Sequence, residues 1–221
     1  MTTRWLARLA DSNPWSPPRP LPGEVVVHEL AVRLFRSGDG ARLYEAISEQ
    51  RGALLPWMAW ASEDHRHPDH STYYVERCLR GYEDPNAHEF GMGIFERASG
   101  RLIGGTGFHH VVRGLRSAEI GYWVRGSEQR RGVCTRAIGA LIGSGLTAQA
   151  SGGWGFRRLV IYCDEQNVGS RRVCEKLGLR LEARLKQDRH LDGYRDTLGF
   201  AVLASEWDFE RAQVPPALSA G

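Results

Sequence analysis

From residue 88 onward the chain reads as three strands in succession, then helix, strand, helix and a closing pair of strands. HEFGMGIFER and LIGGTGFHH flank the turn ASGR, where Gly100 allows a tight antiparallel hairpin, and SAEIGYWV continues as a third strand. A helix over 135–149 follows, GGWG breaks the chain, and RRLVIYC reads as the next strand. A helix over 169–177 closes at Gly178, and strands near 180–187 and 194–205 surround the turn LDG. Upstream, VVVHELAVRLF reads as one strand and SGDGARLYEAISEQ as a capped helix with Leu43 and Ile47 four apart. LLPWMAW is an aromatic-rich loop, and STYYVERCLRG a second helix ended by Gly81. The resulting order, β-α-α-β-β-β-α-β-α-β-β, predicts a mixed sheet in a single α/β domain.

Composition narrows the functional classes. The chain has 221 residues, 42% of them hydrophobic, enough for a proper core. No apolar run approaches the roughly 18 residues that a membrane span needs, so no membrane partner is expected. MTTRWLARLADSNPW lacks the apolar core of a secretory signal. Cys78, Cys134, Cys163 and Cys174 show no CxxC pairing and read as reduced thiols in a cytoplasmic protein. A net charge of +3 permits an anionic ligand but falls short of a nucleic-acid footprint. The proline-rich stretch DSNPWSPPRPLPG favours an extended arm over a packed element, so residues 1–23 are expected to be a flexible arm and the body to start at Glu24.

The stretch EQRRGVCTRAIGAL carries the first functional signal. A strand ends at Val124, a short loop holds Arg130, Arg131 and Gly132, and a helix starts near Thr135. Unpaired backbone N–H groups and the positive dipole end of that helix make an anion site. Gly132 lets the backbone approach a phosphate, and the arginines add charge-assisted bonds. On spacing alone, a plain helix-capping turn explains the same residues.

The neighbouring residues add a resemblance. AEIGYWVRGSEQRRGVCTRAIGAL resembles the central segment of the GNAT acyl-CoA N-acyltransferase superfamily, in its RimJ/RimL branch of ribosomal-protein N-terminal acetyltransferases. That family's Gln/Arg-x-x-Gly-x-Gly/Ala loop is matched by Gln129-x-x-Gly132-x-Cys134. IYCDEQNVGSRRVCEKLGLRLEARL resembles the family's strand, Asn-x-x-Ser, helix and EKLGF signature, with Leu179 in place of the usual Phe. LLPWMAW and HLDGYRDTLGFAVLASEW are similar to the branch's tryptophan-containing loop and closing strands. The resemblance covers 24–208, leaving 209–221 as a tail, and implies a mostly antiparallel central sheet flanked by helices.

It also implies a reaction: acetyl transfer from acetyl-CoA to a primary amine by direct attack. The expected acceptor is the N-terminal α-amine of a protein or peptide. A small-molecule amine, such as an antibiotic or metabolite, is the second reading, and a non-catalytic acyl-CoA-binding module the third. The resemblance gives Gln129, Arg130, Arg131, Gly132, Val133, Cys134 and Thr135 to the coenzyme A pyrophosphate, and the backbone of Tyr122, Trp123 and Val124 to the pantetheine and thioester. Asn167 is implied as a pantetheine contact, although an N-cap role suits it equally. Glu119 is the first candidate base, against a structural ion pair; a residue among Asp188, Arg189 and His190 is the alternative. Ser170 is implied as the acid near the sulfur, or as a helix cap. Trp57 and Trp60 either line an acceptor pocket or close the core. Cys134 stands where the family has Gly or Ala, which puts an oxidisable thiol in the loop. A homodimer is frequent among such relatives.

Two histidine clusters are set aside. His65, His67 and His70 with Asp69 fit no zinc template and read as a polar loop, so no metal is expected. His109 and His110 occupy adjacent strand positions, which face opposite sides, so at most one belongs to a site.

Overall fold

The computed structural model describes residues 14–190 and 193–209. Its strands are β1 (Val25–Val27), β2 (Leu30–Leu34), β3 (Phe90–Glu96), β4 (Leu102–Val112), β5 (Ser117–Val124), β6 (Arg158–Asp164), β7 (Arg180–His190) and β8 (Tyr194–Leu203). The α-helices are α1 (Asp39–Ser48), α2 (Arg51–Leu54), α3 (Pro68–Glu83), α4 (Val133–Leu146) and α5 (Val168–Lys176). The strands form one sheet in the order β1-β2-β3-β4-β5-β6-β8-β7. Every pairing is antiparallel except β5 with β6. This is the mixed, mostly antiparallel α/β sheet that the element order and the resemblance predict.

The period-two pattern of β5 sends its side chains to two different cores. Ala118, Ile120 and Val124 pack with Val133, Ala137, Ile138, Leu141 and Ile142 of α4. Trp123 packs on the opposite face, with Leu43 and Ile47 of α1 and Val75 of α3. Each fully buried large apolar side chain contributes about 1.5–3 kcal/mol, so α4 is held chiefly by this stripe.

Local boundaries depart from expectation in three places. VVVHELAVRLF is a hairpin, β1 against β2, because His28 takes a left-handed φ of 51° and turns the chain. Helix α3 starts at Pro68, where a proline costs no helical bond, and runs through Gly81 to Glu83. LLPWMAW contains the end of α2 and leads into a 3-10 turn over Ala59–Ser62.

The proline-rich arm also differs from expectation. Residues 14–23 form neither helix nor strand, yet they are seated on the body. Trp15 is 2% exposed, stacks on Phe156 at 4.8 Å between ring centroids, and donates its indole N–H to the Trp154 carbonyl at 2.6 Å. Arg19 donates to the Tyr82 carbonyl at 2.6 Å. An indole in an aromatic core outweighs the extended bias of the prolines around it. Residues 1–13, the turn positions 191 and 192, and the tail 210–221 lie outside the described residues.

Candidate active site

Strands β5 and β6 pair only through Ser117↔Arg158, Ala118↔Leu159 and Glu119↔Val160. Beyond Glu119 each stays with its outer neighbour, β5 with β4 as far as Val124 and β6 with β8 as far as Asp164. The two therefore part and open a slot in the sheet. Backbone groups of Tyr122, Trp123 and Val124 along that edge have no strand partner on β6, which leaves them for a ligand.

Across the slot, the Tyr122 hydroxyl lies 2.9 Å from Ser170 Oγ and 3.8 Å from Cys174 Sγ. Burial raises the Tyr122 phenol well above its ordinary range, with the Cys174 and Cys134 thiols adding to the effect, so it stays a neutral donor. Ser170 sits one turn into α5. Its backbone N–H donates to Asn167 Oδ1 at 3.0 Å, so Asn167 is the N-cap of α5. Only the oxygen of the Asn167 amide is used there, which leaves its NH2 group for another partner. Sequence reading found Ser170 but missed the tyrosine hydroxyl facing it.

At the loop end of the slot, Gly132 caps α4 in a left-handed conformation, φ 74°, with no side-chain cap on the helix N–H groups. The helix starts at Val133, two residues before the expected position. Arg130 also has positive φ, 60°, and a turn with left-handed residues ahead of an uncapped helix start is a backbone arrangement that suits an anion. Arg131 does not reach outward alone, since it pairs with the buried Glu128 at 2.9 Å, and Glu128 holds Arg101 at 2.9 Å too. Gln129 is the C-cap of the short turn before it, in extended conformation. Val133 and Thr135 are buried beneath the helix start, and Cys134 is half-buried. Burial pushes the Cys134 thiol up to about 12, with Cys174 adding to the shift. Behind the loop, Arg125 is 1% exposed, donates Nε to the Leu102 carbonyl at 2.7 Å, and pairs with Glu45 of α1 and with Glu49, the residue that caps it.

A cleft of about 610 Å³ meets the slot from the α1–α3 side. Its wall includes Phe35, Trp60, Tyr74, Trp123, His65, His109, Glu89 and the β5 residues Gly121 and Tyr122. Trp60 therefore faces the cleft. Trp57 does not line it: Arg195 of β8 lies over its ring, 6.0 Å from the centroid. His65 is no polar-loop residue. It is 6% exposed and bonded through Nδ1 to Ser71 Oγ at 2.8 Å, and burial lowers its pKa to about 4. His67 is the N-cap of α3. Among the described residues, no group of three or more His, Cys, Asp or Glu is placed to hold a metal ion, and no helix is long and apolar enough to cross a membrane.

The candidate bases are dispersed. Glu119 accepts from His110 Nδ1 at 3.0 Å and is not part of the cleft wall. Asp188, Arg189 and His190 lie on β7, also off that wall; Arg189 donates Nε to Thr197 Oγ1 at 3.2 Å, and the His190 ring meets Tyr194 edge-on. His109 does line the cleft, with Nδ1 2.6 Å from Glu89 Oε2. The expected strict alternation of His109 and His110 fails, because a register shift and a positive φ of 47° at His110 swing that side chain to Glu119. The signal that could have singled out His109 is the glycine content of its strands. Gly105, Gly107 and Gly121 leave room for the Trp123 and His109 rings above the sheet.

Comparison with known proteins agrees with this geometry. The protein named "Putative ribosomal N-acetyltransferase YdaF" of Bacillus subtilis (strain 168) is 26% identical over 187 residues, 84% of this chain and 97% of that protein. The crystal structure of ribosomal-protein-S5-alanine acetyltransferase from Vibrio fischeri superposes with a TM-score of 0.73 at 19% identity, covering 84% of this chain and 98% of that one. RimL, a ribosomal L7/L12 alpha-N-protein acetyltransferase solved with coenzyme A, gives a TM-score of 0.73 at 21% identity, covering 81% and 97%. Residues 29–180 match the family described as "Acetyltransferase (GNAT) domain". With a slot between parting parallel strands and an uncapped helix start at its end, this chain belongs to the GNAT acetyltransferase family.

Proposed function

We propose that this protein transfers an acetyl group from acetyl-CoA to the α-amine at the N-terminus of a protein or peptide. The observation that carries the reading is the junction at Gly121 and Tyr122, where the slot of β5 meets the cleft on the α1–α3 side. Two substrates entering from those directions would come together there.

On this reading the helix start at Val133, Cys134 and Thr135, with Gln129, Arg130, Arg131 and Gly132, holds the pyrophosphate. The slot-facing backbone of Tyr122, Trp123 and Val124 aligns the pantetheine and offers an N–H to the developing oxyanion. Asn167 contributes its free amide NH2 to the same arm. Ser170 and Tyr122, hydroxyl against hydroxyl, supply the proton to the departing thiolate. Trp60 forms part of the acceptor wall, and Trp57 stands nearer the β8 side of the mouth. The α-amine suits this site chemically. With a pKa of about 7.7–8.0, roughly one in ten is already neutral at pH 7, against about one in 2,500 for a lysine side chain. RimL is named for the same class of acceptor, and the chain's similarity to it supports the reading.

An aromatic lining of Phe35, Trp60, Tyr74 and Trp123 favours a second reading, in which the cleft takes a small amine. Calorimetric titration with acetyl-CoA, then thiol release over peptides with free N-termini and a panel of small amines, separates the two. Release on the peptides is expected. Release on small amines alone moves the acceptor to the second reading, and no binding of acetyl-CoA removes both.

A further inference from the structure

We infer that His109, held by Glu89, is the base that deprotonates the acceptor amine; this rests on the acetyl-transfer reading above. His109 stands opposite Glu119 in the β4–β5 register, but its ring crosses diagonally over β5. A Cβ built on Gly121 would lie 3.5 Å from His109 Cδ2, and one on Gly107 would lie 3.0 Å from Nε2. The imidazole therefore occupies the space above two glycines, on the cleft wall, one residue before Tyr122.

Glu89 fixes which nitrogen faces the amine. Its Oε2 lies 2.6 Å from His109 Nδ1, and its Oε1 accepts the His110 backbone N–H at 3.0 Å. Burial raises the Glu89 pKa, but the bonds from His109 and His110 outweigh it and leave the carboxyl below its usual range. An ionised carboxylate only accepts, so Nδ1 carries the proton and Nε2 presents a lone pair. The other groups around the pair do not compete for this role. On α3, burial raises the Tyr74 phenol and the Cys78 thiol, which stay neutral, and Arg77 acts on both as a cation. On β4 and β5, His110 has its pKa raised by its bond to Glu119, so those two form their own ion pair.

His109 Nε2 takes one proton from the ammonium of the acceptor, and the neutral nitrogen attacks the thioester carbonyl. The C–N bond forms, the C–S bond breaks, and the second N–H proton is matched by protonation of the thiolate, giving the amide and coenzyme A thiol. His109 then returns its proton to solvent. Glu89 touches no reacting atom and is a positioning residue.

The test compares the wild-type chain with His109→Gln, Glu89→Gln and Glu119→Gln. It measures acetyl-CoA affinity by calorimetry and thiol release from pH 6 to 9 on a peptide that the wild type acetylates. His109→Gln is expected to keep its acetyl-CoA affinity and to lose about tenfold in kcat at pH 7, where roughly one α-amine in ten is neutral without help. Its residual rate should climb with pH as the amine deprotonates unaided. Glu89→Gln should lose less, since the ring is still present but its Nδ1–H is no longer held by a carboxylate. A His109→Gln rate within about threefold of wild type, with the same profile, overturns the inference while leaving acetyl transfer intact; so does a loss confined to Glu119→Gln. If the wild type binds acetyl-CoA but acetylates none of the amines, ¹⁵N NMR of its imidazoles decides. The Nδ1–H tautomer at His109 is expected, lost in Glu89→Gln, and an Nε2–H tautomer overturns the inference. Failure to bind acetyl-CoA overturns the reading on which it rests.

Discussion

Arg125, at the end of β5, reaches Glu45 on α1 with an N–O distance of 3.0 Å from a position only 1% exposed. The same guanidinium meets Glu49 and the Leu102 carbonyl, so one buried cation joins the α1 side of the cleft, the sheet and the turn that leads to α4. The two carboxylates are about half exposed and can be solvated without it. The cation cannot be solvated where it lies. Removing both acids should therefore cost more than removing the arginine, because an unpaired buried charge is left behind. We expect Glu45→Gln/Glu49→Gln to lower stability by about 3 kcal/mol or more, and Arg125→Met by about 1–3 kcal/mol. Urea denaturation with unchanged m-values checks the order, and the reverse order would refute it.

Gly132 needs its missing side chain for two reasons: a φ of 74°, and Arg136 at 3.0 Å from where a Cβ would stand. Gly132→Asp adds a negative charge at the helix start as well. It should abolish acetyl-CoA binding in calorimetry, while Gly38→Ala, at φ 89° with open space around it, bears a similar backbone cost of about 1 kcal/mol and keeps affinity. Intact binding in Gly132→Asp would remove the phosphate role from the loop.

Tyr122 and Ser170 share a 2.9 Å hydroxyl pair that the protein holds in the neutral form. If that pair delivers the proton to the thiolate, Tyr122→Phe should lower kcat about 10²-fold. Acetyl-CoA affinity should change little, because the β5 backbone proposed to hold the pantetheine is untouched. Equal losses in affinity and turnover would make the tyrosine a packing residue of the slot.

The sequence made the scaffold legible where local chemistry decides it. Alternation placed β5 at 117–124, Gly100 marked the β3–β4 turn, and Asn167 marked the start of α5. The β1–β2 turn was hidden because it uses His28 and Glu29, with no glycine or proline. Trp15 was hidden inside a proline-rich run whose composition suggests solvent, although its partners Phe156 and Trp154 lie about 140 residues away. Within the site, the loop residues were legible as a contiguous motif. The Glu89–His109 pair joins two positions 20 residues apart, and its glycine floor is shared between β4 and β5. The slot was invisible too, since nothing in the alternation of β5 or β6 says that their pairing stops at Glu119.

Cys134 looked vulnerable to alkylation as a thiol in a binding loop. Burial pushes it to about 12, and Cys174 is likewise raised to about 12, so both stay protonated. An unfolded thiol near 8.5 is about a quarter thiolate at pH 8, against about one in 10⁴ for a pKa of 12. Native-state labelling with iodoacetamide at pH 8 should thus be about 10³-fold slower at Cys134 and Cys174 than in urea, read by peptide mass spectrometry. Comparable rates in the two states would mean that the loop opens to solvent.

His65 sets the last expectation, because it is a base buried in its neutral form. Burial is the largest cause of its lowered pKa, Asp64 opposes it, and Arg51, His70 and Arg77 add to it. The folded value is about 4, against 6.5 for the free group. Between those values the unfolded chain binds a proton that the folded chain refuses, so stability falls as pH drops from about 6.5 to about 4 and this contribution levels off below. Asp39 acts in a lower window. It is 1% exposed, with burial raising its pKa and Arg33, the Arg36 amide and Arg42 lowering it to a net value below 3.8. Its stabilisation is complete above the unfolded value and is lost only as pH falls through the lower folded one. His65→Gln should therefore flatten the pH 4–6.5 limb of a urea-midpoint profile and leave the steeper loss below pH 4 in place. A limb that survives the substitution unchanged would show that His65 is protonated inside the fold, or that another group governs that window.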